Sequence, residues 1–147
     1  FYSPKPEIYI YIYPLTHHAF IRYALQVDEN GVATIIMNRP SAMNAMDEGI
    51  MQGTSAAIAM AADDPNVKCV ILTGAGRGFC AGGDVKGMAS GGNTSGNGEP
   101  SKPMPLEGGI WQLRTNMYSS ELLRKMGKPT IAAINGACAG AGFSWGK

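Results

Sequence analysis

The chain has 147 residues, the size of one domain and enough to close one hydrophobic core, which leaves no room for a second catalytic domain within these residues. Apolar residues make up 45% and charged residues 16%, and no uncharged apolar run approaches about 18 residues, so a membrane span and a disordered polar tail are both excluded as readings of the main segment. Twelve Lys plus Arg against eleven Asp plus Glu leave a net charge of +1, too balanced for a nucleic-acid or anionic-membrane surface; small neutral-to-anionic ligands remain.

Residues 1–21 combine Pro4, Pro6 and Pro14 with an alternating Ile/Tyr run. They carry no charged leader region or cleavage motif and are expected to form an appended, poorly ordered tail. The domain proper is expected over residues 22–147. It opens with two extended runs, residues 23–27 and 32–37, joined by Asp28-Glu29-Asn30-Gly31, whose Asn-Gly is a strong hairpin signal. Asn38-Arg39-Pro40-Ser41 breaks the second strand. Asp47 and Glu48 then place acids at the start of a helix in which Ile50, Thr54 and Ile58 recur every four residues, and Asp63-Asp64-Pro65 stops it.

Residues 67–73 (VKCVILT) form a compact β-branched run, expected to be a buried strand that feeds directly into glycine. A short helix is expected from Asp84. Residues 89–109 are so rich in Gly, Ser, Asn and Pro that they read as a mobile loop. A helix with Ile110, Leu113 and Met117 on one face is expected to run to about Met126. Residues 129–135 read as another buried strand, with Ile131 and Ile134 joining Val70, Ile71 and Leu72 in the core. The expected order is ββα, β, loop, α, β.

Glycine is the compositional outlier at 20 residues, about 14% against a usual ~7%. Most of it falls between Gly74 and Gly146, concentrated in two small-residue turns, residues 74–84 (GAGRGFCAGGD) and 135–142 (NGACAGAG). Each follows an apolar strand. Such turns let backbone N–H groups face a ligand without an intervening side chain. If the two lie side by side, one N–H from each can grip the same oxygen, which is an oxyanion hole. A single glycine turn at a strand end is ordinary; the pair is the signal.

Other chemistries fit less well. Cys69, Cys80 and Cys138 form no CxxC pair and are expected to be reduced thiols in a reducing, cytoplasmic setting, with mitochondria or peroxisomes left open. No metal site is expected, because His17 and His18 are adjacent and far in sequence from every cysteine. Residues 74–79 resemble a dinucleotide fingerprint, but Phe79 stands where its last glycine belongs, and no P-loop occurs. Residues 142–146 (GFSWG) match GxSxG, which would make Ser144 a hydrolase nucleophile, yet small residues precede it where a sharp strand-turn-helix elbow is needed.

Three segments, NRPSAMNAM (38–46), VILTGAGRGFCAGGDVKGM (70–88) and KPTIAAINGACAGAG (128–142), at these separations, resemble the crotonase or enoyl-CoA hydratase/isomerase superfamily. The resemblance covers residues 22–147, about the N-terminal half of a member. It implies an α/β spiral of ββα units, truncated here on the C-terminal side, assembling as homotrimers or hexamers. It also implies an acyl-CoA thioester substrate whose enolate is held by two backbone N–H groups; coenzyme A arrives as part of the substrate, and no separate cofactor is implied. The two donors fall on Gly83 and Ala141. The backbone around Ala42, Met43 and Ala45, and that of Ala81 and Asp84, would line the path of the CoA, with Lys86 near its phosphates.

By the same resemblance, Asp84 is expected to cap a helix and present Gly83 rather than donate a proton, and Cys80 and Cys138 are expected to be small packing residues. The chain departs from the family's hydratases in carrying Ser144 where they carry glutamate, and their second acid would fall beyond Lys147. Glu99 and Glu107 lie in the expected loop and are the remaining acids that could approach a substrate. The implied activity is that of a hydratase or isomerase for the complete protein. The alternatives are a non-catalytic acyl-CoA-binding or oligomerisation fragment, marginally stable alone, and, third, a GxSxG serine hydrolase.

Overall fold

A computed structural model describes residues 22–85 and 106–146. The expected tail, Lys86, Glu99 and most of the glycine-rich loop lie outside the described residues. Strands β1 (Tyr23–Val27) and β2 (Val32–Met37) form the antiparallel hairpin that Asn30-Gly31 promised. The turn closes because Asp28 Oδ1 accepts from the Val32 N–H at 2.8 Å and the Asn30 N–H at 3.0 Å. These bonds, that from Val32 first, hold the Asp28 carboxyl below its ordinary range. Gly31 adopts φ +83°, and a Cβ there would meet the Asn66 carbonyl oxygen at 2.5 Å, so no other residue fits this corner.

A 3-10 turn (Pro40–Ala42) leads into helix α1 (Glu48–Asp63). Asp47 caps the helix, its Oδ1 accepting from the Ile50 N–H at 2.8 Å. The four-residue spacing read from the sequence holds: Ile50, Thr54 and Ile58 are fully buried, and Ala57 and Ala61 share their face. At its other end, Lys128 donates through Nζ to the carbonyls of Ala61 at 2.7 Å and Asp64 at 2.6 Å, supplying positive charge where the helix presents free C=O groups.

Strand β3 (Cys69–Gly74) pairs parallel with β2, and β5 (Thr130–Ala132) pairs parallel with β3, giving a mixed sheet of order β1-β2-β3-β5. Helix α2 (Leu106–Lys125) lies between β4 (Gly78–Cys80) and β5 in sequence and packs on α1, where Ser119 and Ser55 share a hydrogen bond at 2.5 Å. Alternate residues of the three long strands, Tyr23, Leu25, Ala33, Ile35, Met37, Val70 and Leu72, enter the core with the inner face of α1. Among the described residues no helix is long and apolar enough to cross a membrane.

Three expectations are corrected. Helix α2 begins at Leu106 rather than Ile110, so Glu107 has helical backbone instead of lying in a loop; the good helix formers at this start outweigh Gly108 and Gly109. Its core-facing residues at the C-terminal end are Ser119, Leu122 and Leu123, while Met117 is 64% exposed. Strand β5 ends at Ala132 and lies at the edge of the sheet among the described residues; Ile131 within it and Ile134 beyond it stay 53% and 48% exposed rather than buried, in contrast to Val70 and Leu72 on the neighbouring central strand.

Close packing of α1 on β1 generates a test. A Cβ on Gly53 would stand 2.2 Å from Tyr23 Cδ1 and 2.7 Å from Cε1. Helix propensity alone favours Ala over Gly by about 1 kcal/mol, but overpacking of this kind costs roughly 1 to 3 kcal/mol. Gly53→Ala is therefore expected to lower the thermal unfolding midpoint by several degrees. A rise in the midpoint would show that the ring moves aside freely.

Candidate active site

The two glycine turns predicted to cooperate are brought together by elements that the sequence pattern does not announce. Residues 78–80 within the first turn form β4, and β6 (Ala137–Cys138) forms within the second; they pair parallel as a separate two-stranded sheet, Gly78 opposite Ala137 and Cys80 opposite Cys138. The Ala139 N–H extends this ladder to the Cys80 carbonyl at 3.0 Å. Beyond the strands the turns touch. Gly82 (φ +95°) and Gly140 (φ +53°) approach so closely that a Cβ on Gly82 would lie 3.0 Å from the Ala139 oxygen, and one on Gly140 would lie 3.6 Å from the Gly82 Cα. Only two glycines allow backbone to meet backbone at this distance in these conformations.

Gly83 and Ala141, the two expected donors, each follow one of these touching glycines. Ala141 opens the short helix α3 (Ala141–Trp145), so its N–H belongs to the set that no preceding turn can satisfy. Gly83 sits in an isolated parallel bridge to Met46, but the bonds of that bridge run from the Met46 N–H to the Gly82 carbonyl (2.7 Å) and from the Asp84 N–H to the Met46 carbonyl (3.2 Å). Neither the Gly83 nor the Ala141 N–H donates a hydrogen bond among the described residues.

Of the remaining expected residues, those that the structure describes lie on two segments joined by backbone hydrogen bonds. The Ala81 N–H donates to the Met43 carbonyl at 3.0 Å, so the 42–46 segment runs beside residues 81–84. Ala42, Met43, Ala45, Ala81 and Asp84 thus share one strip. Arg39 ties the strip together: its Nη1 donates to Asp84 Oδ2 at 2.6 Å and the Ala45 carbonyl at 3.2 Å, and its Nε lies 3.3 Å from Asp47 Oδ2. The Arg39–Asp84 pair is largely shielded, with side-chain exposures of 19% and 17%, and Asp84 holds the loop next to Gly83.

Sequence reasoning missed three residues of this framework. Arg39 was visible in the strand break and in the 38–46 segment, with no role attached to it. Asn44 is fully buried with φ +54°; its Oδ1 accepts from the Arg39 N–H (2.8 Å), and its Nδ2 donates to the Ala75 (3.0 Å) and Gly78 (2.8 Å) carbonyls. Asn135 does the same from the second turn, its Nδ2 donating to the Gly74 and Gly76 carbonyls, both at 2.8 Å. The available signal was Asn135 at the head of the second glycine-rich turn; Asn44 stands 31 and 34 residues before the carbonyls it reaches, and no local pattern links it to them. Ser144 is exposed within α3, on the rim of a cavity of about 430 Å³ walled by Val70, Leu72, Ile131 and Trp145. The GxSxG match lies inside this helix and its C-cap, so Ser144 does not occupy a strand-to-helix elbow.

The chain is an α/β fold in which two glycine-rich turns meet after parallel strands, and the Gly83 and Ala141 N–H groups on them have no partner among the described residues. The chain belongs to the enoyl-CoA hydratase/isomerase family, whose model matches residues 27–146. It is 33% identical over 125 residues to the 1,2-epoxyphenylacetyl-CoA isomerase of Escherichia coli (strain K12), covering 83% of this chain and 43% of that protein. It is 34% identical over 116 residues to the hydroxycinnamoyl-CoA hydratase-lyase of Pseudomonas fluorescens, covering 79% and 39%. Its fold is similar to the crystal structure of an enoyl-CoA hydratase/isomerase from Xanthobacter autotrophicus Py2, with a TM-score of 0.71 and 29% identity over 86% of this chain and 43% of that one. The chain spans less than half the length of the curated relatives it matches.

Asn44 provides the test of the framework. Asn44→Ala removes three hydrogen bonds at a buried position and leaves the Ala75 and Gly78 carbonyls without this donor, at roughly 1 to 3 kcal/mol for each buried group left unpaired. Denaturant unfolding is expected to show a loss of about 3 kcal/mol or more. A loss below about 1 kcal/mol would mean that the turn holds its shape without the asparagine.

Proposed function

We propose that the protein carrying this chain acts on an acyl-CoA thioester, and that the Gly83 and Ala141 N–H groups stabilise the enolate oxygen formed from its carbonyl. The observation that carries this reading is the contact, through Gly82 and Gly140, between two turns that each hold a backbone donor without a partner among the described residues. Such donors polarise the carbonyl, which acidifies the α-carbon and makes the β-carbon of an unsaturated acyl group electrophilic. Their value lies in meeting charge that appears only in the transition state, and they need no rearrangement to do so. The names of the relatives support the same common step, because an isomerase and a hydratase-lyase share a CoA thioester while differing in reaction.

In this reading the strip made by Ala42, Met43, Ala45, Ala81 and Asp84 guides the CoA moiety, with Lys86 near its phosphates. Coenzyme A enters as part of the substrate, and the complete protein assembles as a homotrimer or hexamer. Position 144 bears on the reaction type. A hydroxyl there cannot take a proton from water as a carboxylate does, so proton transfer between carbons is favoured over water addition. Ser144 itself serves as pocket wall.

Gly83→Pro deletes one donor, and since this N–H makes no internal bond among the described residues, the fold loses no hydrogen bond there. Turnover of a CoA thioester by the protein carrying this chain is expected to fall ~100- to 1000-fold with an unchanged melting temperature. Ser144→Ala is expected to change turnover by less than about 3-fold, a difference under 1 kcal/mol. A folded Gly83→Pro variant with full activity would remove Gly83 from the mechanism. Absence of any CoA-thioester binding by the folded wild type would remove the substrate class.

A further inference from the structure

Cys80 and Cys138 are Cα partners in the β4–β6 ladder, just past an irregularity in its register between Gly78 and Cys80, and all three cysteines of the chain are free thiols. Neighbouring strands stand about 4.8 Å apart, inside the roughly 4.4 to 6.8 Å between Cα atoms that a disulfide spans. Both sulfurs lie under the same side of helix α3. A Cβ on Gly142 would come within 2.8 Å of Cys80 Sγ, and one on Gly146 would lie 3.7 Å from Cys138 Sγ. Gly142 lies in the first turn of α3 and Gly146 is its C-cap, four residues on. The absence of side chains at these two positions is what leaves room for two thiols beneath them.

We propose that Cys80 and Cys138 form a cross-strand dithiol site, closed to an intramolecular disulfide by a low-molecular-weight disulfide of the glutathione type. Cys138 is the half-buried member and Cys80 the fully buried one, which sets the order of events. The Cys138 thiolate attacks one sulfur of the reagent; the reagent S–S bond breaks, its other half leaves as a thiolate, and Cys138 holds a mixed disulfide. Cys80 then gives up its proton and attacks Cys138 Sγ, expelling the second half of the reagent. The two cysteines lose two electrons and two protons, and the reagent gains them as two thiols.

The environment of Cys80 suits a resolving rather than an attacking role. Burial pushes its thiol up, the Gly82 N–H acts in the opposite sense, and the neighbouring Cys138 adds to the rise. A thiol raised in this way stays protonated until a mixed disulfide is placed beside it. Cys69, at the start of β3 and opposite Val32, has no cysteine partner in its ladder and serves as the internal control. The site does not depend on the proposed activity, although it lies beneath the helix that carries the Ala141 N–H.

The test is peptide mass mapping under non-reducing conditions after incubation with oxidised glutathione. The expected product joins the Cys80 peptide to the Cys138 peptide with loss of two hydrogens and no retained glutathione, and a thiol reductant reverses it. Cys138→Ser, a substitution at the half-buried position that spares the core, is expected to abolish the cross-link and leave Cys80 as a free thiol. Three results would overturn the proposal: a stable glutathione adduct on Cys138 with Cys80 still free, no reaction at either cysteine of the folded protein, or a cross-link through Cys69 instead.

Discussion

The carbonyls of the first glycine turn are the constraint on which the rest of the site depends. Between Gly74 and Gly78 the chain leaves the main sheet and starts the small one, so its C=O groups point away from either ladder and need donors from elsewhere. Two asparagine amides supply them in alternation. Asn135 takes the Gly74 and Gly76 carbonyls, and Asn44 takes those of Ala75 and Gly78. Because Asn44 belongs to the segment before α1 and Asn135 to the segment after β5, these bonds pin three remote stretches of chain at one corner.

Arg39 extends the same logic with charge. It reaches the Ala45 carbonyl, the carboxylate that caps α1 and the carboxylate beside Gly83. A planar guanidinium can hold several acceptors in fixed directions, which a flexible ammonium does not. The strip expected to guide the CoA moiety is therefore positioned by polar contacts at its edges, while its surface is backbone and small side chains. The Gly83 and Ala141 N–H groups make no hydrogen bond among the described residues.

Small residues recur wherever backbone must come close, for three different reasons. At Gly82 and Gly140 the contact sets two glycine-rich turns side by side. At Gly53 it seats a helix on a tyrosine ring, and at Gly142 and Gly146 it seats a helix over two thiols. The high glycine content is thus a record of close approach as much as of turns. The exposed Ile131 of β5 and Ile134 just after it mark the opposite condition, apolar side chains that the described residues do not cover.

The sequence by itself determined the local elements and the chemistry of the turns. Asn30-Gly31 specified the hairpin, the spacing of Ile50, Thr54 and Ile58 specified the buried face of α1, and the β-branched run specified β3, because each signal is carried by residues close in sequence. The three motifs specified the family, and the resemblance, not the turns alone, implied Gly83 and Ala141 as candidates. Only the tertiary structure decided that the two turns touch, that β4 and β6 exist to align them, and that Arg39, Asn44 and Asn135 hold them. A parallel pair of short strands has no local pattern, and a hydrogen bond from Asn135 to Gly74 spans 61 residues of chain. The tertiary structure likewise set the exposure of Ile131, since the same apolar run is core in a central strand and surface at an edge, and position in the sheet is not written in the run itself.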